Sequence, residues 1–291
     1  MKKNGSKRII HPKQKKQVKP GQEHNMVPEP VFDNGFIERG SQLKGKVALI
    51  SGGDSGIGKA TAVAFTKQGC DVAITYLPGE KTDALQTQAY VEEHYGKRCL
   101  LLPGDVAKEN TCVKMVERVV KHFGRLDILV NNAGTHYPKD SIAEISSRQL
   151  VKTFELNVFS MFYMVKAALP YLKAGASIIN TASVTAYRGS AHLLDYSATK
   201  GAVVSFTRSL AASLVEKKIR VNAVAPGPVW TPLIASSMKP EQIKTFGSDS
   251  PMKRPGQPVE IAGCYLFLAS EAASFITGQV LHPNGGEIIN G

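Results

Sequence analysis

A single tryptophan, four cysteines and no long apolar run are what this 291-residue chain has little of. No apolar stretch approaches the roughly 18 residues that a membrane-spanning helix needs, so no membrane partner is expected. The cysteines, Cys70, Cys99, Cys112 and Cys264, are scattered, form no CxxC pair and sit beside apolar residues or in helical patterns. That spacing offers neither a disulfide framework nor a metal site, and reads as reduced, mostly buried thiols of a cytoplasmic protein. Acids are scarce as well: 24 Asp and Glu face 36 Lys and Arg, a net charge of +12. The opening MKKNGSKRIIHPKQKKQ is basic but leads into no apolar core, so no secretory signal is expected there.

The charge is uneven. Residues 1–25 hold Lys2, Lys3, Lys7, Arg8, Lys13, Lys15, Lys16 and Lys19 against Glu23 alone, so seven of the twelve net charges lie in this stretch. A basic tail can bind polyanions. No aromatic residue is interleaved among these cations, which argues against a nucleic-acid partner and favours a solubilising arm. Residues 1–44 are polar, with Pro12, Pro20, Pro28 and Pro30 and little periodicity. They read as a basic, partly disordered N-terminal arm ahead of one domain over residues 45–291. Met26, Val27, Val31, Phe32, Phe36 and Ile37 are apolar. That half of the arm is expected to pack on the domain or on a neighbouring subunit, while residues 1 to about 18 stay mobile.

From residue 46 the texture changes. Short apolar runs at 46–51, 71–76, 98–103, 126–134, 177–183, 220–226 and 279–283 alternate with helical patterns at 57–69, 82–95, 109–123, 157–173, 195–216 and 258–269. The strands are apolar throughout rather than at every second residue. Strands buried on both faces belong to a parallel sheet with helices on each side. The expectation is an α/β chain with a single doubly wound, Rossmann-type domain.

SGGDSGIG (51–58) joins the first strand to the first helix, with Gly52, Gly56 and Gly58 spaced G-x-x-x-G-x-G. Glycines there allow a tight turn and let a pyrophosphate approach the backbone. The helix start near Ile57 adds free N–H groups and the positive end of its dipole. Asp105 and Val106 follow the third strand, and Asp105 can accept from an adenine amino group. Asn132, Ala133 and Gly134 end the fourth strand. Ligands of such sheets lie beyond the carboxyl ends of the strands, so these three loops share one edge and point to a dinucleotide. In YSATK (196–200) a phenol and an ammonium stand four residues apart, which on a helix is one face, one turn. Alone, such a pair is more often structural than catalytic.

Together SGGDSGIG, NNAG (131–134), Asn157 in ELNVFSMF, Ser183 in IINTASV, YSATK and PGPVWT (226–231) resemble the classical short-chain dehydrogenase/reductase family in order and spacing, across residues 45–291. PGQEHNMVPEP and the GGDSGIG variant look like a bacterial subgroup related to general-stress-protein oxidoreductases. Ser51 departs from the family's usual threonine but keeps a hydroxyl. The resemblance implies an NAD(P)-dependent oxidoreductase that moves a hydride between nicotinamide and a carbonyl or secondary alcohol. It implies Tyr196 as general acid/base and Lys200 as the group that lowers its pKa and holds the nicotinamide ribose. Ser183 would steady the substrate oxygen, and Asn157 would hold a proton-relay water. A free phenol titrates near 10, so work near neutrality needs a drop of about 2–3 units. Cofactor contacts are implied for Gly52, Asp54, Ser55, Gly56, Ile57, Gly58, Tyr76, Asp105, Val106, Asn132, Ala133, Gly134, Tyr196, Lys200, Pro226, Gly227, Val229 and Thr231. A homotetramer is implied too, joined through the last strand and the helices at 157–173 and 195–216, with Met161, Met164, Ala198, Ala202 and Phe206 at the interface.

The second strand ends at Tyr76, Leu77 and Pro78, where an acid would favour NAD and an arginine NADP. Asp54 would repel a 2′-phosphate, and Ser55 stands where NADP-using relatives often carry a base; against this, Lys81 can swing toward a phosphate. The reading leans slightly to NAD and leaves NADP open. Candidate substrate-lining residues are Ser183, Tyr196, His136, His192 and Trp230, with the Pro-rich segment 229–255 as a mobile lid. A ketone, aldehyde or secondary alcohol is the substrate class expected. The alternative is a non-catalytic dinucleotide-binding redox sensor. The complete set of Asn157, Ser183, Tyr196 and Lys200 argues against it, because a sensor needs no proton relay.

Overall fold

Alternating short strands and helices build one sheet of seven parallel strands in the computed structural model, which describes residues 9–12 and 14–288. The strands are β1 (Val47–Ile50), β2 (Asp71–Tyr76), β3 (Cys99–Pro103), β4 (Ile128–Asn131), β5 (Ser177–Thr181), β6 (Arg220–Val224) and β7 (Val280–Leu281). Across the sheet they run β3-β2-β1-β4-β5-β6-β7. The chain winds outward from β1 to β3, then crosses back to lay β4 on the other side of β1. The loops after β1 and β4 therefore part in opposite directions, and a crevice opens between them.

Both faces of the sheet are buried. Ala48, Ile50, Val72, Ile74, Ile128 and Val130 pack with Val63, Phe65 and Tyr265 in one layer. Val47, Leu49, Ala73, Leu129, Ile178 and Val221 pack with Val116, Met164 and Leu214 in the other. Alternate residues go to opposite layers, and both layers are apolar, which is why each strand reads as an unbroken apolar run. The helices are α1 (Gly56–Lys67), α2 (Lys81–Tyr95), α3 (Glu109–Phe123), α4 (Ser147–Phe154), α5 (Ser160–Ala168), α6 (Thr185–Arg188), α7 (Leu194–Leu214), α8 (Pro232–Ser237), α9 (Pro240–Ile243) and α10 (Pro258–Ala269). On one face α1 lies along α10; on the other α3 lies against α5. Among the described residues no helix is long and apolar enough to cross a membrane.

The helix expected over 157–173 begins earlier, at Ser147, and is interrupted by one π-type turn, Glu155–Phe159, between α4 and α5. Ser146 caps it by accepting from the Gln149 N–H at 3.1 Å, a signal the sequence reading passed over. Met161 and Met164, expected at a subunit interface, are instead buried within the subunit. Leu150, Val151, Phe159 and Phe162 are exposed apolar residues of this region, the two phenylalanines at 40% and 45%.

The arm lies along the domain. Its Met26 is buried with Trp230, Ile234, Ala235 and Ile243, while Phe32 and Ile37 are half-buried against the core. Val27 and Phe36, also expected to pack, are exposed at 65% and 85%. Asp33 accepts from Lys67 and from the hydroxyls of Tyr90 and Tyr95, the latter two at 2.9 Å each. Some residues of the stretch expected to be mobile through about residue 18 make contacts with the domain. Ile10 N–H donates to Lys244 C=O at 2.8 Å, His11 stacks on Trp230 at 3.9 Å, and Gln17 N–H donates to Ala235 C=O at 3.3 Å. The expected mobility of residues 1–8 and 13 lies outside the described residues.

Candidate active site

The carboxyl ends of the strands and the segment after β6 enclose a cavity of about 1030 Å³. That is at the top of the roughly 300–1,000 Å³ range of small-molecule sites. At one end is the glycine loop. Gly58 is demanded by close packing: a Cβ there would stand 1.9 Å from the Gly52 carbonyl oxygen. Ser51 ties this loop to the end of β4, its hydroxyl accepting from the N–H groups of Asn132 (2.9 Å) and Ala133 (3.0 Å). The Asn132 amide returns the link, donating to the carbonyls of Ser51 and Gly52 at 3.1 and 3.0 Å. Gly52, Asp54, Ser55, Gly56, Ile57, Tyr76, Asp105, Val106, Asn132, Ala133, Gly134, Pro226, Gly227, Val229 and Thr231 all line the cavity. Gly58 stands behind it.

The opposite end holds Ser183, Tyr196, Lys200 and His136. α7 carries Tyr196 and Lys200 one turn apart on the same face, with the Lys200 ammonium 5.5 Å from the centre of the phenol ring. Lys200 Nζ donates to the Thr181 carbonyl at 2.6 Å, which fixes the amine at the end of β5. Ser183 lines the same wall, its Oγ accepting from Thr185 N–H at 3.2 Å and Thr185 Oγ1 at 3.1 Å. Asn157 sits in the π-type turn, fully buried behind the wall. Its side chain is committed to the protein: Oδ1 accepts from Thr135 N–H at 2.8 Å, and Nδ2 donates to Thr135 C=O at 2.9 Å and Thr199 Oγ1 at 3.0 Å. It holds the chain that leaves NNAG in place beneath Lys200.

Burial pushes the Tyr196 phenol up to about 12, against a smaller lowering by Ser183. Burial also brings the Lys200 ammonium down to about 7. These two groups do not by themselves depress the phenol, because desolvation disfavours the charged form of each. At the glycine end, burial and then the neighbouring Glu80 and Asp83 push the Asp54 carboxyl well above its usual range. The negative charge expected there is held back.

Two candidates lie elsewhere. Trp230 is fully buried, donates from Nε1 to Pro28 C=O at 2.9 Å and stacks on His11, so it anchors the arm. His192 is exposed beside Asp140, 3.3 Å away, outside the cavity wall.

A family model described as "Enoyl-(Acyl carrier protein) reductase" matches residues 52–287. The chain is 52% identical to General stress protein 39 of Bacillus subtilis, covering 96% of each chain. It is 50% identical to "NADPH-dependent aldehyde reductase 1, chloroplastic" of Arabidopsis thaliana, over 96% of this chain and 98% of that one. It belongs to the short-chain dehydrogenase/reductase family. Its fold matches the 3-ketoacyl-(acyl-carrier-protein) reductase of Brucella melitensis, a structure complexed with NADH, with a TM-score of 0.77 and 35% identity over 84% of this chain and 98% of that one. The chain is an oxidoreductase of that family.

The residues present fit a dinucleotide. Two buried polar atoms of the wall, Asp54 Oδ2 and His136 Nε2, lack a protein partner and stand at opposite ends of the cavity. The α1 start carries first-turn amides without an intrahelical acceptor. One of them is already taken: Glu23 of the arm accepts from Gly56 N–H and from Lys59 Nζ, both at 2.7 Å, and is buried. Sequence reasoning missed Glu23, and it missed Lys19, which lines the cavity. The hints of Glu23 were its standing as the lone acid among eight cations and its place in PGQEHNMVPEP (20–30).

Proposed function

We propose that this oxidoreductase uses NAD or NADP to interconvert a carbonyl and an alcohol, with Tyr196 exchanging the proton. The observation that carries it is Ser183, Tyr196 and Lys200 lining one cavity with the glycine loop, the Lys200 ammonium 5.5 Å from the centre of the phenol ring. A bound nicotinamide supplies the hydride or accepts it, and in oxidised form adds a positive charge near the phenol. Tyr196 is protonated at neutrality, the form that gives a proton to a carbonyl oxygen as it gains charge. Ser183 donates to the same oxygen. Lys200, held by Thr181, keeps donors free for ribose hydroxyls. Three of the four hydrogen-bonding sites of the Asn157 side chain are used within the protein, so a relay water would meet the remaining Oδ1 lone pair or the main chain of the π-type turn.

The lean to NAD rests on weaker ground than the sequence suggests. The Asp54 carboxyl, buried and pushed toward its neutral form, repels a phosphate less. The named cofactors of relatives divide as well: NADPH for the Arabidopsis enzyme, NADH in the Brucella structure. The test is a panel of aldehydes, ketones and secondary alcohols with each of the four nicotinamide forms. Turnover of carbonyls with one reduced form is expected. Tight cofactor binding with no turnover of any member would favour the redox sensor.

We infer a homotetramer as well, from Phe159, Phe162 and Ala198, exposed on the face formed by α5 and α7, with Ala202 and Phe206 half-exposed beside them. Four free cysteines, three of them buried, support a cytoplasmic setting.

A further inference from the structure

The reacting end of the cavity is not built by the domain alone. Lys19, Pro20 and Gly21 of the arm line it. Gly21 is pressed onto α8, where a Cβ would stand 2.4 Å from the Pro232 carbonyl oxygen, so the arm's path past the cavity mouth is fixed. Lys19 Nζ donates to Thr135 Oγ1 at 3.2 Å and to the His136 carbonyl, and lies 4.0 Å over the Tyr137 ring. His136 in turn meets the Tyr196 ring edge-on at 5.3 Å. The arm's ammonium is therefore one residue away from the proposed proton donor.

This cation lacks a counter-charge. Among the described residues no carboxylate lies within ion-pairing distance of it. The carboxylate that attracts it from further off, Asp195, is committed to Tyr196 N–H, Gln149 and Thr153. An ammonium has three donors, and two are used. The lining part of α4 adds Arg148 and Lys152 against Glu155. Burial and Lys152 together lower the Lys19 pKa to about 8, the cost of a positive charge waiting without a partner.

Resting on the reading of the cavity as a carbonyl-reducing site, we propose that Lys19 is a substrate-recognition residue. With Lys152 it selects carbonyl or alcohol substrates that carry an anionic group, a carboxylate or a phosphate. The arm then acts as a specificity element, closing the reacting end with a charge that the family's core motifs do not contain.

The experiment compares matched pairs on the full-length protein: succinic semialdehyde with butanal, and glyceraldehyde 3-phosphate with glyceraldehyde. Wild type should favour at least one anionic member by tenfold or more in kcat/KM, and the preferred pair tells carboxylate from phosphate. Lys19→Met should cut the anionic member about 10- to 100-fold further than the neutral one, the range for a hydrogen bond to a charged group. Lys19→Arg should restore much of the preference, which a purely structural lysine would not require. Binding of succinate and inorganic phosphate against butane-1,4-diol, by calorimetry on cofactor-loaded protein, gives a readout independent of turnover. No turnover of any carbonyl, with anion binding that Lys19→Met abolishes, would sink the reductase reading and keep the recognition site. Equal losses for charged and neutral members, or anion binding unchanged in Lys19→Met, would overturn the proposal.

Discussion

The two ends of the cavity are made in different ways. The glycine end is assembled from loops that follow β1, β3 and β4, each within a few residues of a strand, and stitched by Ser51 and Asn132. The reacting end depends on long-range contacts: α7 supplies Tyr196 and Lys200, the π-type turn supplies Asn157, and the arm arrives from more than a hundred residues away to place Lys19 on Thr135. Even the glycine end is braced from outside, by Glu23 on Gly56 and Lys59. A family core thus carries the chemistry, and a segment outside it completes both ends.

Three changes would break or sharpen this contrast. The largest effect is expected at Glu23. Glu23→Gln leaves the buried Lys59 ammonium without its carboxylate, which costs about 3–5 kcal/mol when one member of a buried pair is removed. Thermal unfolding should come roughly 6–20 °C earlier, and cofactor affinity should fall as the glycine loop loosens. A shift of only a degree or two would show that the arm merely rests there.

Next is Lys200→Ala, which acts at the reacting end. Turnover should drop by about 10²-fold or more, with weaker cofactor binding, because the amine proposed to hold the ribose hydroxyls is gone. Turnover and a cofactor titration on the same sample check both parts. Lost turnover with unchanged cofactor affinity would remove the ribose role given to this lysine while leaving Tyr196 in place.

The smallest effect is at the arm's outer anchor. Burial raises the Asp33 carboxyl, but the bonds from Lys67, Gly35, Tyr95 and Tyr90 outweigh it and bring the group down to about 2, from 3.8 unperturbed. Below 3.8 the unfolded chain takes up the proton first, so the anchor's contribution is complete above about pH 4 and fades as pH falls toward 2. Protease sensitivity of the arm should rise over that window. Asp33→Asn, which weakens the anchor by about 1–2 kcal/mol, should be more sensitive at neutral pH and lack the acid step. The same acid step in the variant would assign it to another carboxylate.

What could be read from sequence follows the same division. The parallel sheet was legible because both-face burial leaves unbroken apolar runs, and the glycine end because its residues lie next to the strands that hold them. Ser183, Tyr196 and Lys200 were legible through the resemblance of their motifs to a known family, and all three line the cavity. Asn157 was singled out by the same resemblance; the π-type turn that positions it leaves no mark in a one-dimensional pattern. Trp230 and His192 were misplaced because an aromatic residue near a lid looks the same whether it faces ligand or packs an arm. Glu23 and Lys19 were hidden in a polar, proline-broken stretch, where nothing local announces a contact with residues far along the chain.

The central claim is that Tyr196 exchanges the proton during hydride transfer. Tyr196→Phe keeps the ring against His136 and removes only the phenol oxygen. Single-turnover oxidation of the bound reduced nicotinamide by a good carbonyl substrate measures this step without product release. The rate should fall by roughly 10²–10⁴-fold while cofactor affinity stays within about threefold, under 1 kcal/mol. A variant that oxidises its nicotinamide at the wild-type rate would contradict the account.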